Sequence, residues 1–194
     1  MKVLGVDPGF ANFGWCVSRI SVDREGGVPT VGINPIICGV FNTAKSSKKD
    51  KVLAPNDEFR RCKDLYTMLD DVVAENNVRM ICAEGMSSPR NAVTVRMLGY
   101  AWGIIASVCE RRMIPLAQVS PKQLKKKVCG RISVTDIELH EEIFRRFPGF
   151  KGVVETFVTA KSKREHAIDA LGATEACRNG EVFRTLVANM IGEL

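Results

Sequence analysis

Paired cysteines, tandem repeats, low-complexity tracts and long apolar runs are all missing from this sequence. Seven cysteines stand singly at positions 16, 38, 62, 82, 109, 129 and 177, with no CxxC pair. An odd, scattered set reads as reduced, mostly buried thiols of a cytoplasmic protein rather than a disulfide framework. The same lack of closely spaced ligand pairs argues against a structural zinc site. No apolar stretch reaches the ~18–20 residues that a membrane span needs. The N-terminus has one Lys before strand and turn, so it does not read as a signal peptide. No Walker A pattern supports a nucleotide cofactor.

The composition that remains is that of a globular chain. Its 194 residues are 45% hydrophobic and 26% charged, which suits one domain over 1–194 with a substantial core. The net charge of +6, from 28 basic and 22 acidic residues, is compatible with a polyanionic partner.

Residues 2–7, 13–20 and 36–42 read as three buried strands separated by Gly, Pro and Asn. The polar, basic stretch 43–57 reads as an exposed loop. Asn56 or Asp57 is placed to cap a helix to about residue 76, with Phe59, Leu65, Leu69, Val72 and Val73 on its apolar face. VRMICAE (78–84) is the next strand, and a long helix follows over about 90–112. Gly99, Ala101, Gly103 and Ala106 suit its close packing on a sheet. MIPLAQV (113–119) is a strand, and Ser120-Pro121 opens a short basic helix. Helices are also expected over 134–147, 164–178 and 181–192. A strand meander followed by alternating strands and helices is an α/β layout, a mixed sheet with helices on both faces.

Two of these strands end on acids, Asp7 and Glu84. Each by itself is equally a turn or helix-start residue. In an α/β sheet, however, the crevice beyond the carboxyl ends of the strands is the usual site. If the two strands are parallel neighbours, both acids enter that crevice, and a shared proton or a bound cation must offset their repulsion. His166 and Asp169 stand at i and i+3 and share one helix face, while Ile168 and Leu171 point elsewhere and can anchor that helix. Three acids and one imidazole are a hard donor set that suits magnesium or manganese better than zinc.

At this point the chain resembles a known family. VLGVDPGFANFGW is similar to the first strand and turn of the RuvC-type Holliday-junction resolvases of the RNase H-like superfamily, with Asp7, Pro8, Gly9 and Gly14 in the pattern. The second element is Glu84, Asn91 and LGYAWG (98–103). The third is SPKQLKKKVCG (120–130), and the last is His166, Asp169, Ala170 and Leu171. The resemblance implies an RNase H-like fold with a mixed five-stranded sheet. It implies a homodimeric, divalent-metal endonuclease that nicks two symmetric strands of a four-way junction. It implies catalytic metal ligands at Asp7, Glu84, His166 and Asp169, holding two magnesium ions for which manganese substitutes. Two departures stand out. Family members often carry an aromatic wedge a few residues after the Glu, where this chain has Gly-Met-Ser-Ser-Pro-Arg and only Met86 to replace it. The long loop at 43–57 fits a viral or organellar branch.

The cations gather around the same elements. Lys122, Lys125 and Lys126 share a helix face, with Lys127 beside them. Lys163 and Arg164 precede His166, and Arg90, Asn91 and Arg96 open the helix after Glu84. This placement suits phosphate contacts along DNA. Competing readings are a nuclease acting on RNA–DNA hybrids or flaps, an actin-like ATPase, and a non-catalytic junction binder.

Overall fold

A computed structural model describes residues 1–23, 30–47, 49, 51–86 and 91–192. Five strands form one sheet in the order β3-β2-β1-β4-β5. β1 (Lys2–Asp7), β2 (Asn12–Asp23) and β3 (Thr30–Asn42) make an antiparallel meander. β4 (Val78–Glu84) and β5 (Leu116–Val119) extend the sheet in parallel from β1. β1 and β4 are near-continuous apolar runs because both of their faces are covered. On one face lie α1 (Ala54–Glu75) and α2 (Ala92–Arg112), sharing a core with Leu4, Val6, Phe13 and Ile81. On the other lie α3 (Pro121–Cys129), α4 (Asp136–Arg146), α5 (Phe150–Phe157), α6 (Arg164–Cys177) and α7 (Glu181–Gly192), around Val3, Met80 and Leu171. The expected mixed five-stranded sheet with helices on both faces is the observed one.

Several local expectations are corrected. α1 starts at Ala54, ahead of Asn56 and Asp57, with Pro55 in its first turn and no side-chain cap. The Asp57 carboxylate instead accepts from the backbone and hydroxyl of Ser46, at 2.9 and 2.6 Å, and from Arg60. Arg60 and Arg61 also donate to the carbonyls of Ala44 and Thr43. The described part of the 43–57 loop is thus tied down along α1. Phe59 is 73% exposed rather than in the core, which Leu65 and Leu69 fill. β5 begins only at Leu116, because Met113 adopts a left-handed conformation (φ 53°) that ends α2. α5 has two buried positions, Phe150 and Val154, too few to display a helical period in the sequence.

α2 departs from expectation twice. Its Gly99 and Gly103 face outward with nothing near them, and the sheet side is taken by Ala101, Ile104, Ile105 and Val108. By length (21 residues) and by the mean hydropathy of 1.5 over its most apolar 18 residues, it also qualifies as a candidate span, contrary to the expectation of no such stretch. Its inward residues pack in the α/β core, and Arg112 at its end binds Asp70 of α1 at 2.6 Å.

α6 is the helix pressed hardest against the sheet. A Cβ on Gly5 of β1 would overlap the Ala170 carbonyl and the Thr174 hydroxyl. A Cβ on Gly14 of β2 would overlap the His166 carbonyl. Replacing Gly5 by Ala should therefore cost about 1–3 kcal/mol in urea unfolding, through overpacking against a backbone that cannot yield. Gly152→Ala, on exposed α5 with no neighbour within 4 Å, should instead gain about 0.5–1 kcal/mol. Equal effects would refute the close-approach account.

Candidate active site

Strand register builds the first half of the site. β1 and β4 are parallel neighbours with Val6 opposite Ala83, so Asp7 and Glu84 stand side by side at the carboxyl ends. The Gly9 amide donates to the Asp7 carbonyl at 2.9 Å, turning the chain away at once. A cleft of about 120 Å³ opens here, walled by Asp7, Gly9, Glu84, Met86, Trp102 and Pro121. Trp15 lies in the core, 9% exposed, whereas Trp102 is only half-buried and lines this cleft. A wider cavity of about 600 Å³ flanks the site, with Phe10, Lys45, Arg61, Met97 and His166 on its wall.

α6 supplies the second half. Ile168 and Leu171 are buried and anchor the helix. His166 Nδ1 donates to Asp7 Oδ2 at 2.7 Å. Glu165 is 60% exposed beside it, 3.9 Å from the other ring nitrogen. Asp169 accepts at 3.0 Å from Nε2 of His140, which comes from α4 and was no part of the sequence reading. The signal for it was present: Asp136 and His140 stand at i and i+4 on α4, off the face that buries Leu139 and Ile143. Both histidines of the chain therefore bind a carboxylate of this site.

The electrostatics follow from the crowding. Burial, with the charges of Asp7 and Asp169 added, pushes the Glu84 carboxyl up to about 7. The hydrogen bond that His166 donates to Asp7, aided by the charge of Asp7 and opposed by burial, raises the pKa of His166. For His140, burial opposes the charged form, but the bond and charge of Asp169 outweigh it, and the pKa rises.

The expected DNA-contact residues divide into two groups. Asn91 caps α2 by accepting from the Val93 amide, and Arg96 pairs with Glu58 at 2.8 Å. Lys125 binds Asp136 and the Val134 carbonyl, Lys127 the Ala176 carbonyl, and Arg164 the Val158 carbonyl. The side chains of Lys122, Lys126 and Lys163 have no ion pair or hydrogen bond among the described residues. Arg90 lies outside the described residues.

A metal fits this site by donor chemistry: three crowded carboxylates, one of them holding its proton toward neutral pH, are what a divalent cation relieves. As they stand, no three His, Cys, Asp or Glu groups among the described residues converge tightly enough to hold an ion. His166 and Asp7 spend their facing atoms on each other.

Comparison with known proteins identifies the family and the fold. The family model described as crossover junction endodeoxyribonuclease RuvC matches residues 3–140. Of the relatives carrying that description, one from Thermomicrobium roseum is 31% identical over 144 residues, 74% of this chain and 77% of its own length. One from Rickettsia akari is 28% identical over 130 residues, 67% and 72% of the two chains. In fold, the chain is similar to Thermus thermophilus RuvC in complex with a Holliday junction substrate (TM-score 0.66, 14% identity, 96% of each chain). It is also similar to the yeast mitochondrial Holliday junction resolvase Ydc2 (TM-score 0.60, 17% identity, 99% and 84%). The family match ends before His166 and Asp169, so their place at the site rests on the geometry of α6.

The raised Glu84 pKa has a thermodynamic signature. The folded state holds a proton, up to about pH 7, that the unfolded chain releases near 4.5, so this group's contribution to stability falls as pH rises through that window. In EDTA, Glu84→Gln should be more stable than the parent by on the order of 1–3 kcal/mol at pH 8, with no gain at pH 4. Superimposable pH–stability curves for the two proteins would contradict the crowding.

Proposed function

We propose that this chain, which belongs to the RuvC family of crossover junction endodeoxyribonucleases, resolves Holliday junctions and similar branched DNA by paired, symmetric nicks. The observation that carries the reading is the meeting of Asp7, Glu84, His166 and Asp169 at one end of the sheet, from three elements far apart in sequence. The chain acts as one nuclease domain, and branched DNA is its substrate.

Asp7, Glu84, Asp169 and His166 would hold the divalent ions, magnesium with manganese as a substitute. Bound there, the ions would supply an activated water and neutralise charge on the leaving oxygen. The chain's own residues prepare this. Asp7 stands centrally, between Glu84 on the neighbouring strand and His166 above it. The turn at Pro8-Gly9 leaves its carboxylate facing the cleft, where a phosphate can approach. Lys122, Lys126 and Lys163, whose side chains are uncommitted among the described residues, steady the DNA backbone without reading its sequence. Asn91, Arg96, Lys125, Lys127 and Arg164 hold the elements that present them, and turn to DNA only at the cost of those bonds. Met86, 48% exposed at the cleft, is the side chain placed to enter the junction.

For the homodimer, α2 offers a candidate face. Its outward stripe of Val95, Gly99, Gly103 and Ala106 is exposed and made mostly of small residues, which would let a second helix approach closely.

Two outcomes are expected. Asp7→Asn should abolish magnesium-dependent nicking of a synthetic four-way junction and leave junction binding in EDTA within a few-fold of the parent. Full cutting by that variant, or preferred cutting of an RNA–DNA hybrid or flap by the parent, would refute the reading. Val95→Glu should shift the protein from dimer to monomer in analytical ultracentrifugation and turn paired nicks into single ones.

A further inference from the structure

The proposed ligand set leaves one histidine unassigned. His140 is 26 residues before His166 on a different helix, yet its ring reaches Asp169. The helix that carries it is pinned along its length. Thr135 and Glu138 form a capping box at its start, and Arg131 binds Glu138. Asp136, one turn before His140, is tied to Lys125 of α3 at 2.9 Å. Leu139 and Ile143 are buried in the core that holds α6. Arg146 at the far end binds Glu142 within α4 and Glu175 of α6. The ring is therefore delivered by a rigid element, and both side chains of the pair are mostly shielded, at 18% and 24% exposure.

We propose that His140 is a positioning residue for Asp169: its Nε2–H holds Oδ1 of the carboxylate and leaves Oδ2 turned to the metal. The torsion of a carboxylate about its last bond is broad. An outside hydrogen bond selects one orientation during folding, so that orientation need not be paid for when the ion binds. Partners of this kind typically contribute 10–100-fold to metal affinity. The proposal rests on the metal-site reading above and adds a residue to it.

The test uses the full chain without DNA and reads Mn²⁺ affinity by electron paramagnetic resonance, with circular dichroism and thermal melts to verify folding. His140→Ala should weaken Mn²⁺ binding 10–100-fold. His140→Gln, whose amide can donate from a similar reach, should recover most of that loss. His140→Phe keeps the ring volume without the donor and should bind as weakly as the Ala variant, which separates orientation from packing. Junction affinity in EDTA should be the same for all four proteins. Parental Mn²⁺ affinity in folded His140→Ala or His140→Phe overturns the positioning role while the metal site stands. Equal loss in the Gln and Ala variants also overturns it, because the imidazole would then act as a ligand itself. Absence of Mn²⁺ binding by the parent, with Asp7→Asn as the control, overturns the metal-site reading and this proposal together.

Discussion

The structure depends on how closely α6 lies on the sheet. Gly5 and Gly14 remove two side chains from adjacent strands, and the backbone of α6 fills the space they leave. This is an ordinary use of glycine in a strand, the approach of another backbone. Here it has a chemical result. With the helix at that height, the ring of His166 meets the carboxylate of Asp7, and Asp169 lies within electrostatic reach of Glu84. A helix held off by even one methyl would still cover the core, through Ile168 and Leu171, but would no longer deliver those side chains at hydrogen-bond distance.

A site of crowded acids is costly to fold, and the surroundings show how that cost is met. Each of two carboxylates has an imidazole: Asp7 has His166 and Asp169 has His140. Glu84 has none and is the acid whose pKa climbs toward neutrality. Glu84 is therefore the acid that an added positive charge would most relieve. The cations around the rim are organised more by the fold than their number suggests. Lys125, Lys127 and Arg164 are spent on joining helices, and the free positive charge facing outward is smaller and more localised.

Much of this was legible in the residues. The strand ends at Asp7 and Glu84 could be read because both strands are short apolar runs that stop abruptly on a charge. The pairing of His166 with Asp169 could be read because i and i+3 share a face in any α-helix. The misreadings have equally physical causes. Gly99 and Gly103 looked like packing residues because small size is the only signal a glycine carries, and it says nothing of which neighbour comes close. Asp57 looked like a helix cap, and its carboxylate is used by Ser46, eleven residues earlier, through a loop closure no local pattern encodes. Phe59 looked like part of the apolar face of α1, but it stands about 200° around the helix from Asp57 and Arg61, the residues that end of the helix buries.

By itself, the sequence determined the α/β class and the order of the strands and of every long helix, and it singled out four groups as candidates for a site. These are local properties, set by hydrophobic period, by turn residues and by the chemical nature of single side chains. Only the tertiary structure decided that β1 and β4 are parallel neighbours in register, that α6 descends onto two glycines, and that His140 joins the site from another helix. Those facts depend on distances between segments up to 159 residues apart, which arise from packing all the layers at once. A carboxylate at a strand end acquires a role only when packing determines what stands opposite it.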